Sequence, residues 1–322
     1  MFQSTCALAW PAVQKEASSY IGTLEQICPQ YLDEMGGVAE GAGVDLLDIL
    51  ALNVRTEIVF SLFTEDPEAG VKVDGCTSVA LKTCAELSLL AQNWDWQEEQ
   101  GRNLFVCHIS QPGTDIPDLA FVTEGGIIGK IGFNSYGVGV CLNAIRARGV
   151  DKSKLPVHLG LRAALESKSR QDAVRRLMSD GIAGSAHILV ADEDAAVGLE
   201  CTVKGIKELE MDKNSRIVHT NHLLLDHTGV DEPPWLRDSP ERLTRMHRLL
   251  DEKVASSDDV GVPELLELFK DEDGYPCSIN RAQAAGSDLQ TIFNIVMELP
   301  QRQAVVRFGR PTDGGDSLQL RL

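Results

Sequence analysis

The hydrophobic and polar positions divide the chain into distinct textures. Over residues 11 to about 60, Val13, Ala17, Tyr20, Leu24, Ile27 and Tyr31 recur at helical spacing, and GVDLLDILALNVRTE opens a second amphipathic run. A polar loop follows, TEDPEAGVKVDG, which carries Pro67 and two glycines and ends immediately before Cys76. From residue 76 the period shortens to that of strands in TSVALK, LSLLAQNW, NLFVCHI, LAFVTEGGIIGKIGF and YGVGVCLNAI. Helices are predicted in PVHLGLRAALESKS and RQDAVRRLMSDG, then strands in AHILVAD, AVGLEC and RIVHTN. DSPERLTRMHRLLDE predicts a helix with Ser239 as its N-cap and Pro240 at its first position, and strands TIFNIVMEL and QAVVRFG close the chain. Grouped strands, grouped helices and strands again favour a layered α+β architecture over a βαβ repeat.

Composition narrows the function classes. With 322 residues, 43% of them hydrophobic, the chain can bury a large core. A net charge of −18, from 48 acidic and 30 basic residues, repels a phosphate backbone and offers no broad attraction to an anionic membrane. No apolar run approaches the ~20 residues of a membrane-spanning helix, and MFQSTCALAWPAVQKEASSY lacks a basic start followed by a long apolar stretch. The expectation is an intracellular protein with neither nucleic acid nor membrane as partner. The eight cysteines, at 6, 28, 76, 84, 107, 141, 201 and 277, form no CxxC pair, and several lie in apolar runs, which predicts buried reduced thiols.

The sharpest local feature is Asp74-Gly75-Cys76-Thr77-Ser78, where a small-residue turn enters a strand. One reading is a strand start with a buried thiol. The other is chemical: the Cys76 thiol attacks the Gly75 carbonyl, and water cleaves the resulting thioester. Glycine leaves that carbonyl uncrowded, and the freed α-amine, of ordinary pKa roughly 7.7–8.0, can take the thiol proton near neutral pH. His219 and His222 invite a metal reading, but an odd spacing in a strand sends them to opposite faces, so no metal is expected. Arg146, Arg148, Lys152 and Lys154 form the densest basic stretch; it reads either as a solvated loop or as a receptor for the phosphates of coenzyme A.

Eight ordered segments carry a resemblance: LNVRTE at 52–57, DGCT at 74–77, QNWDW at 92–96, EGGIIGKIGFNSYGV at 124–138, GLE at 198–200, VHTNH at 218–222, DEDGYPCSINRA at 271–282, and TIFNIV with VRFGRPT near the end. In these the chain resembles the fungal acyl-CoA:6-aminopenicillanate (isopenicillin N) acyltransferase family over most of residues 30–318. The resemblance implies an αββα N-terminal-nucleophile fold that cuts itself between Gly75 and Cys76. Residues 1–75 would then be a helical fragment and 76–322 a catalytic fragment, paired as a heterodimer. It also implies Cys76 as nucleophile, Asp95 as the carboxylate beside it and Asn221 as an amide of the oxyanion hole. Ser78, Thr202 and Ser287 fall where the family has hydroxyls linked to processing or substrate contact. No cofactor is implied beyond acyl-CoA as a co-substrate. The implied activity is acyl transfer in secondary metabolism through an acyl-Cys76 thioester to an amine; the same residues serve an amide hydrolase, and an unprocessed, inactive paralogue that binds is the remaining alternative.

Three departures bear on that reading. Penicillin-forming relatives carry Arg after the serine of AAGSDLQTIFN, where this chain has Asp288. If residue 288 faces the acceptor, a carboxylate there disfavours an anionic β-lactam nucleus, with Arg281 as a compensating cation; the other reading turns it to solvent. The chain opens at MFQSTCALAW without the strand expected of the family. It ends Leu320-Arg321-Leu322, a poor match to a peroxisomal tripeptide, which favours cytoplasm over peroxisome.

Overall fold

The computed structural model describes residues 2, 8–61, 75–83, 88–256, 260–284, 289–315 and 317–322. Its strands are β1 (Gly75–Lys82), β2 (Ser88–Gln97), β3 (Leu104–Ile109), β4 (Leu119–Glu124), β5 (Ile131–Asn134), β6 (Gly139–Ala144), β7 (Ala186–Ala191), β8 (Ala196–Thr202), β9 (Gly205–Glu210), β10 (Arg216–His219), β11 (Leu289–Glu298), β12 (Gln303–Phe308) and β13 (Ser317–Arg321). The helices are α1 (Trp10–Ser18), α2 (Ile21–Ile27), α3 (Pro29–Ala42), α4 (Leu46–Asn53), α5 (Val157–Leu165), α6 (Arg170–Asp180), α7 (Ser239–Ser256) and α8 (Val262–Leu268). One antiparallel sheet has the order β10-β1-β2-β11-β12-β13, and the other runs β3 to β9 in sequence order.

Side-chain alternation on the central strands explains the layering. Ala80 on β1 and Leu90 and Trp94 on β2 join a core shared with the second sheet. Val79, Leu81, Leu89 and Ala91 turn the other way, onto Met246 and Leu250 of α7 and Leu265 of α8. A strand buried on both faces reads as a nearly continuous apolar run, as TSVALK and LSLLAQNW do. Helix α5 packs on β5, β6 and β7 and also meets α4. The result is helix, sheet, sheet, helix: the αββα sandwich.

Several local expectations are corrected. The first helical texture is broken at Cys28, whose φ of −153° and ψ of 63° lie outside the helix, because Pro29 behind it excludes the helical region. LAFVTEGGIIGKIGF is two strands, since Gly126 turns with φ of +88° after β4. Ser239 is the first helical residue of α7, not its cap; the Asp238 carbonyl accepts the opening helical bond from Arg242. His222 lies beyond the end of β10, so strand alternation does not govern it. Among the six described cysteines, Cys277 is exposed and Cys107 half-buried, against the expectation of burial; Cys6 and Cys84 lie outside the described residues.

Contacts tie the segment before residue 75 to the rest. Arg55 donates both terminal nitrogens to Glu124 at 2.7 Å, and Glu124 also pairs with buried Lys130. Burial raises the Glu124 carboxyl, but these two cations more than reverse it and hold it below the usual range. The Asn53 amide donates to the Gly126 carbonyl at 2.7 Å and accepts from the Ile128 N–H at 3.1 Å. Arg162 grips Glu34 with two 2.8 Å bonds, and the Tyr31 hydroxyl donates to Glu166 at 2.6 Å.

Glu57 is the exception to this pairing. It is fully buried, accepts a 2.8 Å bond from the Val157 N–H at the start of α5, and its Oε2 has no partner. Burial pushes the carboxyl up to about 7, and the backbone bonds only partly oppose this. Because the folded value exceeds the ordinary 4.5, the folded chain holds a proton that the unfolded chain has released between those pH values. Stability from this group is therefore present below about 4.5 and is lost as pH rises toward 7. Glu57→Gln is expected to raise the thermal unfolding midpoint at pH 8 by several degrees and to change it little at pH 4. An unchanged midpoint at pH 8 would contradict the buried-carboxyl assignment.

Candidate active site

Cys76 is the second residue of β1, with no solvent exposure. Its strand neighbours on β2 are set by register: Gly75 faces Asp95, and Cys76 faces Trp94. Facing residues share a side of the sheet, so Asp95 lies under Gly75. A Cβ at position 75 would sit 2.8 Å from Asp95 Oδ2 and 3.2 Å from Arg281 Nε. Glycine is needed here because a carboxylate and a guanidinium occupy the space a side chain would take.

The backbone of Cys76 is gripped from two directions. Its N–H donates to Asn221 Oδ1 at 2.9 Å, and its carbonyl accepts from Arg242 Nη1 at 2.6 Å. Asn221 Oδ1 accepts a second bond, from Arg242 Nη2 at 2.8 Å, while Nδ2 donates to the Ala144 carbonyl at 3.1 Å. Two donors on Oδ1 and a carbonyl on Nδ2 determine which way the amide points. The Asn221 backbone is pinned as well: its N–H donates to Ser239 Oγ at 2.7 Å, and its carbonyl accepts from Trp235 Nε1 at 3.0 Å. The Ser239 hydroxyl thus holds the segment that carries Asn221.

Behind this grip lies an alternating row of charges. Arg242 Nε bonds Asp238 Oδ2 at 2.7 Å; Asp238 also meets Arg281 Nη2; and Arg281 Nε meets Asp95 Oδ2 at 3.2 Å. Thr291 Oγ1 donates to the other Asp95 oxygen at 2.7 Å. Burial pushes the Asp95 carboxyl up, and Arg281 and Arg242 pull it back only in part. Burial also acts to raise Asp238, but there the two guanidiniums win and its pKa is lowered.

The candidate residues fall into three groups. Cys76, Gly75, Asp95, Asn221 and Arg281 are brought together. Arg281 is not a spare cation for a substrate carboxylate, since Asp95 and Asp238 already face it. Ser78 is near in sequence, but its hydroxyl donates to Asn143 Oδ1 at 2.7 Å on the second sheet, where His187 Nδ1 also lies, at 2.9 Å. Thr202 sits at the β8 to β9 turn, where its hydroxyl bonds the Gly205 carbonyl and the Lys204 N–H. Ser287 and Asp288 lie outside the described residues, as does Asp74. His219 Nε2 bonds Glu200 at 3.0 Å, and His222 Nδ1 lies 2.7 Å from Ser239 Oγ. Among the described residues, no group of His, Cys, Asp or Glu is gathered as metal ligands. In the basic stretch, Arg148, Lys152 and Lys154 pair with Asp231, Glu16 and Asp151, and Arg146 is buried. Arg242 and Asp238 were not singled out from sequence. The sequence marks only the helix start there, at Ser239-Pro240, and the burial of Arg242 one turn inside it is seen in the structure.

Comparison with known proteins follows the same outline. A sequence model of the family described as "Acyl-coenzyme A:6-aminopenicillanic acid acyl-transferase" matches residues 81–313. The chain is 41% identical over 314 residues to the acyl-coenzyme A:6-aminopenicillanic-acid-acyltransferase of Emericella nidulans, covering 95% of this chain and 84% of that protein. It is 26% identical over 174 residues to the beta-alanyl-dopamine/carcinine hydrolase of Drosophila melanogaster, covering 50% of this chain and 44% of the other. Among solved structures, a mutant of the conjugated bile acid hydrolase of Clostridium perfringens matches with a TM-score of 0.57 at 12% identity, over 77% of this chain and 92% of that one. The N-acylethanolamine-hydrolyzing acid amidase orthologue of Caenorhabditis elegans matches with a TM-score of 0.52 at 18% identity, over 69% of this chain and 92% of that one.

Gly75→Ala, made in a Cys76→Ala background that removes the thiol, forces the Asp95 and Arg281 pair apart. The expected cost is roughly 1–3 kcal/mol of stability, read from urea unfolding. A cost indistinguishable from zero would mean that the carboxylate is not packed on Gly75.

Proposed function

The chain belongs to the acyl-coenzyme A:6-aminopenicillanic acid acyl-transferase family, and on that premise we propose that it is a self-processing acyltransferase whose nucleophile is Cys76. The observation that carries the reading is the Asn221 amide on the Cys76 N–H, in a buried site with Asp95 beneath Gly75. In the first step Cys76 Sγ attacks the Gly75 carbonyl carbon. The C–N bond to Cys76 breaks, its nitrogen gains the thiol proton to become the α-amine, and a thioester forms. Water hydrolyses the thioester, which releases the Gly75 carboxyl and restores the thiol. The bonds of Arg55, Asn53, Glu34 and Tyr31 to later residues favour association of the two fragments after the cut.

In the working cycle the α-amine accepts the thiol proton and the thiolate attacks the carbonyl of an acyl-CoA. Coenzyme A leaves as its thiol, with the proton returned from the ammonium, and an acyl-Cys76 thioester remains. An acceptor amine then attacks the acyl carbon, losing its proton to the α-amine, and Cys76 departs with the amide product formed. The developing oxyanion needs a fixed donor, and Asn221, whose Oδ1 takes the Cys76 N–H, offers the second hydrogen of its Nδ2, the first being donated to the Ala144 carbonyl. For the acceptor we favour a neutral or cationic amine. If Asp288, which stands where penicillin-forming relatives have Arg, faces the acceptor, its charge disfavours a carboxylate there, and both guanidiniums at the site already face carboxylates.

Incubation with a series of acyl-CoA thioesters from acetyl to decanoyl tests the cycle. The expected result is a mass gain equal to one acyl group on the fragment beginning at Cys76, lost on addition of hydroxylamine. Transfer to water or to an added amine separates hydrolase from transferase, since the same thioester serves both. Acylation of another residue, or of none by any member of the series, would overturn the nucleophile assignment.

A further inference from the structure

Arg242, which no motif marks, bonds both the nucleophile and the amide that faces it. It lies on α7 and is only 2% exposed. Its Nη1 donates to the Cys76 carbonyl at 2.6 Å and to Thr77 Oγ1 at 3.0 Å, and its Nη2 donates to Asn221 Oδ1 at 2.8 Å. The planar guanidinium thus bridges the backbone of the nucleophile and the amide facing it, with two nitrogens at fixed separation. Asp238, in the turn just before α7, holds the third nitrogen.

We propose that Arg242 is a positioning residue for the acyl-transfer site, holding the Asn221 amide so that its Oδ1 receives the Cys76 nitrogen and its N–H is kept for the reacting carbonyl. This rests on the reading of Cys76 as a self-cleaved N-terminal nucleophile. Without the Nη2 bond, Oδ1 keeps one donor, and the amide can rotate to present oxygen where an N–H is required. Such a flip reverses a dipole at the oxyanion and misplaces the nucleophile's own backbone, an effect that reaches 10²-fold in rate for shifts near 1 Å.

A second consequence is electrostatic. After cleavage the Cys76 nitrogen is an amine that still faces Asn221 Oδ1. The charged groups around it are Asp95 from β2, Arg281 from the segment before β11, Asp238 from the turn before α7 and Arg242 itself, with Cys277 beyond Arg281. His222, on the segment after β10, reaches the same area through Ser239, and burial, aided by His219 and Arg242, pushes it down to about 4, so it is neutral at working pH. The two carboxylates and two guanidiniums balance in formal charge. Loss of Arg242 leaves a net negative site, which favours the ammonium over the free amine and so raises the pH at which the base becomes available.

The test compares wild type, Arg242→Gln, Arg242→Lys and, as a helix-charge control, Arg248→Gln, whose arginine is exposed and pairs with Glu252 on the same helix. Conversion of precursor to the two fragments is followed by intact mass, with thermal unfolding of each variant alongside. Cys76 alkylation by iodoacetamide in the cleaved protein is followed against pH and mapped by peptide mass. Arg242→Gln is expected to slow conversion about 10- to 100-fold and to move the alkylation midpoint up by roughly one pH unit. Arg242→Lys keeps the charge without the two-point grip, so it should slow conversion about 10-fold and leave the midpoint in place. Arg248→Gln should match wild type in both. If Arg242→Gln fails to fold, the conversion rate of Arg242→Lys decides the matter. Wild-type conversion rates in both Arg242 variants would overturn the proposal while leaving the self-cleavage reading intact. A wild type that never converts would sink that reading instead.

Discussion

Everything at the site depends on burying four charges beside one peptide bond. An isolated charge in a protein interior costs several kcal/mol, and removing one member of a buried pair strands the other. Here the row alternates, Arg242, Asp238, Arg281, Asp95, so each carboxylate or guanidinium faces an opposite sign. The row draws together β2, the turn into α7 and the segment before β11, which are far apart in sequence. It also dictates Gly75, because the Asp95 end of the row fills the place of a side chain there. The same constraint that assembles the site thus leaves the Gly75 carbonyl without a crowding neighbour of its own.

The segment before residue 75 is integrated on different terms. Its helices meet the second sheet and α5 through paired polar groups: Arg55 with Glu124, Arg162 with Glu34, Tyr31 with Glu166. Lys130, which shares Glu124 with Arg55, lies 3.2 Å from the centre of the Trp94 ring, and Trp94 is the cross-strand partner of Cys76. A physical path therefore runs from LNVRTE to the nucleophile through one carboxylate, one ammonium and one indole. The ion pairs and the cation–π contact on this path are made by side chains, and the last link, from Trp94 to Cys76, is strand pairing.

The two-sheet fold was legible in the sequence because buried strands leave continuous apolar runs, and TSVALK, AHILVAD and TIFNIV all lie in the sheets. Cys76, Asp95 and Asn221 were singled out through their motifs, and the structure places them side by side. Arg242 was not, because in SPERLTRMHRLLDE it has the same local texture as Arg245 and Arg248, and only tertiary contact distinguishes a buried arginine from a solvated one. Ser239 was read as a cap from its place before Pro240, whereas its hydroxyl is engaged by Asn221 across 18 residues. Edge strands β9 and β13 were missed for a related reason: exposed strands need little apolar patterning, and their sequences look like polar loops. Pro29 was a visible signal that periodicity overrode, and Cys28 before it ends the helix.

The central claim is that the Cys76 nitrogen, held by Asn221 as a peptide N–H, becomes a free N-terminus. Intact mass spectrometry of the purified protein during incubation in reducing buffer tests this most directly. The account requires conversion of the 322-residue chain to fragments of 75 and 247 residues, with Cys76→Ala remaining whole. Cleavage at any other bond, or a wild-type chain that stays intact throughout, would contradict it.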